Sequence, residues 1–358
     1  MNKIILSCGT LAQGGASRVC ANLSIPLCDH FDSVILVTWA NRPQFYEYDH
    51  RAKWLCVEKE AGRNDIKRML WFRKLVKKEK PDLILSFLEP FNLRVLTCTM
   101  GLGVKTIVAE RNDPQSVNKY SFLSYLEKLV YRRAHGILVQ TPTIQRFFDG
   151  KLKDRTHVIY NPVNIPASMV GAALKTPKQK RIVSVARLMP QKNHDILIMA
   201  FAVFQKDHPD YTLTIYGEGP LMENLRSLAE SLGVGDKVFL PGPSKTVHQD
   251  MLDAEMMCLV SVREGMSNAM IEAMCLGLPC ICTKVSGAVD LISDGENGIL
   301  VDIGDVNGLV EKMNVLADNE SLCKSIGNRA SELYQILNKE KINQEWISYL
   351  KAQSGIKN

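Results

Sequence analysis

Apolar residues along the chain fall into short, dense blocks separated by longer stretches with helical spacing. In the first half the blocks are KIILSC (3–8), VILVTW (34–39), LILSFL (83–88), TIVAE (106–110) and GILVQT (136–141). The second half repeats the rhythm with RIVSVA (181–186), YTLTIYG (211–217), KVFLPG (237–242), MMCLVSV (256–262), LPCICT (278–283) and GILV (298–301). Continuous apolar blocks of this length suit strands covered on both faces, as in parallel sheets. Alternation of such strands with helices predicts an α/β protein with two doubly wound, Rossmann-like domains. The length of 358 residues also exceeds what one core usually serves.

The prolines of YNPVNIP (160–166) exclude helix and favour extended backbone, which places the domain boundary there. The polar, strandless stretch that follows, up to Lys180, reads as a linker. The expected domains are 1–163 and 164–335, with residues 336–358 as a terminal helix. In INQEWISYLKA, Ile342, Trp346, Tyr349 and Leu350 share one stripe, suited to packing back on the first domain.

Composition narrows the setting. No apolar run approaches the roughly 18 residues needed to span a bilayer. The opening MNKIILSCGT reads as a first strand and not as a signal peptide. The ten cysteines are scattered, mostly in apolar blocks, with no CxxC pair. Cys280 and Cys282 share one face of a strand, but a metal site is not expected there. A reducing cytoplasm fits this usage. Charge is uneven: residues 1–160 hold 25 Lys and Arg against 15 Asp and Glu, a balance of +10. The remainder holds 19 against 23, a balance of −4, so the basic half should face something anionic.

Three stretches carry candidate chemistry. SCGTLAQGGASR, with Gly14 and Gly15, turns from the first strand into a helix. It is either a plain tight turn or a loop whose amides approach a phosphate. It is not GxGxxG, and no acidic residue ends the second strand, which disfavours a nicotinamide dehydrogenase. In RIVSVARLMPQKNHDILIMAFAVF, Arg187 and Lys192 stand five apart at the carboxyl end of a strand. That is where open α/β sheets bind ligands, and a fork of donors with a mobile point charge suits a diphosphate; two solvated cations would look the same in sequence. In REGMSNAMIEAMCLGLP, Glu264 leaves a strand, Ser267 or Asn268 can cap a helix, and Glu272 lies inside it. A carboxylate on an apolar helix needs partners, either the vicinal hydroxyls of a ribose or a structural ion pair.

The order Arg187…Lys192, then IYGEGP (215–220), then EGMSNAMIEA with Glu264 and Glu272, resembles the retaining nucleotide-sugar glycosyltransferases of family 4. The likeness is close over about residues 180–310 and weaker before, where Gly14, Gly15 and YNPVN fit. It implies the GT-B fold, two Rossmann-like domains facing across a cleft that holds the donor, and no metal or other cofactor. Arg187 and Lys192 would bind the donor diphosphate, Glu272 the ribose and Glu264 hydroxyls of the transferred sugar. Gly15 would let the first loop approach the phosphates, and the amides of Met266, Ser267 and Asn268 would hold sugar and phosphate. AERNDP (109–114) and SFLEPFN (86–92) are similar to a bacterial surface-polysaccharide subgroup that extends polyprenyl-diphosphate-linked glycans. That implies a UDP-sugar donor, a hexose or N-acetylhexosamine of galactose type, and an acceptor side at Glu110, Arg111 and Asn112. Relatives carry a first-domain His that this chain does not supply at that position; neither His135 nor His157 fits it.

IKRMLWFRKLVKKEKPD (66–82) and KYSFLSYLEKLVYRRA (119–134) mix cations with aromatic and aliphatic residues, as helices resting on anionic lipid do. A lipid-linked acceptor would favour peripheral contact with the inner face of the cell membrane. Three other readings stay open. The donor could be of GDP-mannose type on the same fold, or the chain could be another two-domain sugar-nucleotide enzyme such as an epimerase. A nucleic-acid-binding role has no recognised motif and leaves the acidic second half without a purpose.

Overall fold

The computed structural model describes residues 2–12, 14–111, 129–148 and 150–355. The chain divides into two compact units: Met1–Asn161 together with Glu340–Asn358, and Pro162–Lys339.

Unit 1 is built on seven strands: β1 (Lys3–Cys8), β2 (Ser33–Thr38), β3 (Lys53–Cys56), β4 (Leu83–Phe87), β5 (Lys105–Ala109), β6 (Gly136–Val139) and β7 (Thr156–Val158). Their order is β3-β2-β1-β4-β5-β6-β7, and all pairs are parallel. The chain steps outward from β1, then crosses to β4, so the switch point lies between β1 and β4. Side chains alternate as strand geometry requires. Ile4 and Leu6 enter one core with Leu23 and Leu27 of the Gly15–His30 helix, while Ile5 enters the other with Phe72 and Val76 of the Asp65–Glu79 helix.

Strands β3 and β7 have no counterpart among the apolar blocks of the sequence. Both are edges of the sheet, and β7 is three residues long. An edge strand need not bury both faces, so KWLC and THV lack the density that marks the inner strands.

The helix Lys339–Ser354 buries Ile342, Trp346, Ile347 and Leu350 in the core of unit 1. The Trp346 ring lies 5.7 Å from that of Phe87 on β4. Lys105 Nζ donates to the Gln353 carbonyl at 2.7 Å, which satisfies one of the carbonyls at that helix end.

Unit 2 has six parallel strands: β8 (Arg181–Val185), β9 (Thr212–Tyr216), β10 (Val238–Gly242), β11 (Met256–Leu259), β12 (Cys280–Thr283) and β13 (Ile299–Val301). Their order is β10-β9-β8-β11-β12-β13, with the switch point between β8 and β11. Ile182, Leu213, Ile215, Cys258 and Ile281 pack with Leu197, Phe201 and Phe204 of the His194–Phe204 helix.

The stretch after Pro162 is not the linker its polarity suggests. Ala167–Met169 and Ala172–Leu174 form single 3-10 turns. Gly171 N donates to the Cys275 carbonyl at 3.0 Å and Ala173 N to that of Leu276 at 2.9 Å. The small residues Gly171, Ala172 and Ala173 fit against a helix end, and their backbone caps its last carbonyls, a use that apolar counting does not register.

All ten cysteines are free thiols and nine are buried. Burial pushes the Cys258 thiol up to about 12, so it serves as an apolar filler. Among the described residues no helix is long and apolar enough to cross a membrane.

His194 opens its helix with 1 % of its surface exposed and neither ring nitrogen bonded. Burial, aided by Lys192, lowers its pKa from 6.5 to about 4. Above pH 6.5 the ring is neutral both folded and unfolded, so it leaves stability unchanged. As pH falls from 6.5 to 4 only the unfolded chain takes up the proton, which costs the fold about 3 kcal/mol in total. His194→Leu should therefore lose less thermal stability than the parent over that window, read as Tm against pH.

Candidate functional site

The site is laid out by the β8/β11 switch point. The chain leaves β8 at Val185, exposes Arg187, and makes a 3-10 turn over Pro190–Lys192. Asn193 then takes left-handed backbone (φ 57°) before the helix starts at His194. Asn tolerates that conformation better than branched residues do.

This loop is held by the one that follows β9. Ala186 N donates to the Tyr216 carbonyl at 3.1 Å and Leu188 N to that of Glu218 at 2.8 Å. The approach is so close that a Cβ on Gly217 would lie 1.9 Å from the Ala186 oxygen, and one on Gly219 2.3 Å from that of Leu188. The two glycines of IYGEGP are therefore steric requirements of the loop that carries Arg187.

The β11 side supplies the acid. Glu264 Oε1 accepts from Lys192 Nζ in a close ion pair and from Ser261 Oγ at 3.1 Å. Only 12 % of the lysine side chain and 11 % of the glutamate are exposed. Val262 N donates to the Gln191 carbonyl at 3.0 Å, and Gln191 Nε2 to that of Arg263 at 3.3 Å, so backbone as well as charge joins the two strand ends.

Met266 and Ser267 are buried, and Ser267 Oγ accepts from Met270 N at 3.4 Å as the cap of the Asn268–Cys275 helix. Glu272 lies on that helix, 6 % exposed, with Oε2 3.0 Å from Nε2 of His248. Thus Arg187, Lys192, Glu264, Met266, Ser267, Asn268 and Glu272 all stand on the segments that leave the carboxyl ends of β8 and β11. Two cations and a helix amino end offer positive potential beside two carboxylates. That is the complement of a ligand with an anionic centre and hydroxyl-bearing ends.

Two partners were not legible in sequence. Ser261 is one more small residue in an apolar block. His248 sits in a turn after β10, 24 positions before the glutamate it meets, with no spacing to join them.

In unit 1 the Gly15–His30 helix begins directly after Gly14, its cap position. Glu110 is 7 % exposed and accepts from Asn92 Nδ2 at 2.6 Å and from the Tyr131 hydroxyl. Arg111 is 9 % exposed, donates to Asn161 Oδ1 at 2.7 Å, and lies over the rings of Phe87 and Trp346 at 5.4 and 5.3 Å. Burial lowers its pKa to about 9. The partners named for these two side chains belong to unit 1; Asn112 lies outside the described residues. His135 Nδ1 accepts from Thr106 N at 3.2 Å, and His157 packs against Tyr349.

Because Lys192 and Glu264 are both largely desolvated, removing one should hurt more than removing both. In a cycle of Lys192→Met, Glu264→Gln and the double variant, chemical denaturation should give a coupling energy of about 1–3 kcal/mol. A value near zero would mean that the pair is no more than a surface contact.

Two family descriptions match the chain: "Glycosyltransferase Family 4" over residues 13–166 and "Glycosyl transferases group 1" over 171–333. Two Campylobacter jejuni proteins resemble it along nearly their whole length. One, named "GalNAc-alpha-(1->4)-GalNAc-alpha-(1->3)-diNAcBac-PP-undecaprenol alpha-1,4-N-acetyl-D-galactosaminyltransferase", is 26% identical and covers 98% of each chain. The other, an N-acetylgalactosamine-N,N'-diacetylbacillosaminyl-diphospho-undecaprenol 4-alpha-N-acetylgalactosaminyltransferase, is 27% identical over 98% of this chain and 100% of its own. Anabaena HepE, solved in complex with UDP, superposes with a TM-score of 0.79 at 18% identity, covering 98% of this chain and 100% of its own, a likeness of fold. With two parallel α/β sheets, the order of basic and acidic residues along unit 2 and both family descriptions in agreement, the chain belongs to the family 4 glycosyltransferases, of GT-B fold.

Proposed function

We propose that this glycosyltransferase moves a hexose or N-acetylhexosamine, of galactose type, from a UDP-sugar to a polyprenyl-diphosphate-linked glycan, with retention and without a metal. The observation that carries the reading is the meeting of Lys192 and Glu264 at the β8/β11 switch point, with Glu272 on the helix that follows. The names of the Campylobacter relatives support the sugar and the acceptor class, and the UDP complex of HepE supports the nucleotide.

In this reading Arg187 and Lys192 bind the donor diphosphate and Glu272 takes the ribose hydroxyls. Lys192 exchanges Glu264 for a phosphate oxygen, and the Glu264 carboxylate turns to hydroxyls of the transferred sugar. The amides of Met266, Ser267 and Asn268 add partial positive charge at a helix amino end. In unit 1, Gly14 and Gly15 leave the start of the Gly15–His30 helix clear of side-chain bulk, as a phosphate-binding turn requires. As the bond from the anomeric carbon to the β-phosphate oxygen breaks, charge grows on that oxygen, where preorganised cations and amides act most strongly. The acceptor hydroxyl bonds to the same face of the anomeric carbon and passes its proton to the departing phosphate oxygen. Configuration is kept, and no side chain need act as nucleophile. The acceptor is assigned to unit 1, beside Glu110 and Arg111, whose side chains are held by Asn92 and Tyr131 and by Asn161.

The membrane contact is assigned to one face of the Asp65–Glu79 helix. At about 3.6 residues per turn, positions 66, 67, 70, 74, 77 and 78 lie within one third of its circumference. Ile66 is 70% exposed and Leu70 54%, and Lys67, Lys74, Lys77 and Lys78 flank them with no acid in the arc. Exposed aliphatics among lysines suit the interface of an anionic bilayer, and the +10 balance of residues 1–160 has the matching sign.

Lys192→Ala and Glu272→Ala should each cut sugar transfer at least about tenfold with the fold intact by circular dichroism. The assay is run in EDTA after a screen of UDP- and GDP-sugars for thermal stabilisation and slow hydrolysis. Full activity in both variants sinks the site; a response to GDP-mannose alone changes the donor; no response to any donor sinks the reading. A Lys67→Glu, Lys74→Glu, Lys77→Glu variant should lose binding to phosphatidylglycerol-rich vesicles by about tenfold or more, with transfer to a water-soluble acceptor unchanged. Unchanged vesicle binding would remove this face from the membrane contact.

A further inference from the structure

The Asn268–Cys275 helix buries every residue from Met270 to Cys275, and five of those six are apolar or small: Met270, Ile271, Ala273, Met274 and Cys275. Packing alone would be served by an apolar residue at the sixth place. Glu272 stands there instead, and a carboxylate so enclosed has to be held by polar groups. The identified holder is His248, whose Nε2 lies 3.0 Å from Glu272 Oε2.

His248 is not in a segment that the core demands. It belongs to the Val247–Asp250 turn, which buries none of its residues. Of the two side chains in the pair, the imidazole is 24% exposed and the carboxylate 7%, so His248 is the partner nearer to solvent. The turn is nevertheless stiff. Asp250 accepts from the hydroxyls of both Ser244 and Thr246, and Thr246 N donates to Ser244 Oγ at 3.0 Å. The Asp250 carbonyl accepts from the Arg181 guanidinium, which is itself held by Asp253 and by the Tyr216 hydroxyl at 3.1 Å. The imidazole is thus presented to Glu272 from a braced loop that follows the carboxyl end of β10.

We infer that His248 is a positioning residue for the nucleotide: its Nε2–H on Oε2 fixes the rotation of the Glu272 carboxylate, so that the carboxylate meets the two vicinal hydroxyls of a nucleoside diphosphate's ribose in the right plane. The inference rests on the donor-site reading given above. A carboxylate receives two neighbouring hydroxyls well only when both oxygens are suitably turned, and orientation settled before binding is not charged against affinity. His248 therefore acts on donor affinity. It has no part in the bond exchange at the anomeric carbon.

The test uses the full chain and UDP itself as the probe, with UDP affinity by calorimetry, donor KM and kcat by transfer assay, and Tm. His248→Ala should weaken UDP binding about tenfold, the worth of one hydrogen bond to a charged group, and raise donor KM to match. Its kcat should stay within about twofold, as expected when binding is lost equally from ground and transition states. His248→Gln keeps an N–H donor at similar reach and should recover most of the affinity. Lys192→Ala is the control. If it weakens UDP binding while His248→Ala leaves it unchanged, His248 has no positioning role. If neither variant affects UDP, the donor-site reading has failed and the inference with it. A lowered Tm in both His248 variants, with no recovery by Gln, would make the pair a structural one and overturn the proposal.

Discussion

Unit 2 depends on a place where backbone lies directly on backbone. Gly217 and Gly219 come so near the carbonyls of Ala186 and Leu188 that no side chain of any size fits between. The contact fixes the path of the chain after β8, and with it the positions of Arg187 and of the turn that ends at Lys192. From there the constraint passes to the neighbouring strand end through the Val262 amide on Gln191 and the Lys192–Glu264 pair. The segments that carry a cation and an acid are thereby joined by a main-chain hydrogen bond as well as by charge, and that bond is not screened by salt as exposed charge pairs are.

Much of this was legible in sequence because it follows from local rules. Strands covered on both faces must be apolar throughout, so the inner strands of both sheets announce themselves. Arg187, Lys192 and Glu264 could be placed because each sits a few residues beyond such a strand, where topology gathers ligand-binding groups, whereas Glu272, inside the helix that follows, was placed only through the family resemblance. The edges β3 and β7 were hidden because one side of an edge strand carries no demand for apolar residues. The Gly171–Leu174 turns looked like a tether because what docks them is chiefly backbone, and a sequence does not print where its amides go.

The hydrogen-bond partners were the least legible layer. Ser261 and His248 are joined to the two glutamates by the fold alone, through no fixed spacing. In unit 1 the same is true of Glu110 and Arg111. The resemblance offers them as acceptor-side groups, and the structure adds partners that no spacing announces: Asn92 and Tyr131 for one, Asn161 and two rings for the other. A charged pair in a loop is read from sequence as exposed; that Phe87 and Trp346 would close over the arginine depends on a helix more than 200 positions away.

That helix gives the chain an order of assembly. Unit 2 is an insertion: everything it needs lies between Pro162 and Lys339, whereas unit 1 takes its last core side chains from residues 342–350. During synthesis from the amino end, the later unit is therefore complete first. The earlier sheet waits with the face of Phe87 and Ile107 uncovered until Trp346 and Leu350 have left the ribosome. For this chain, the first half to be made is the last to be finished.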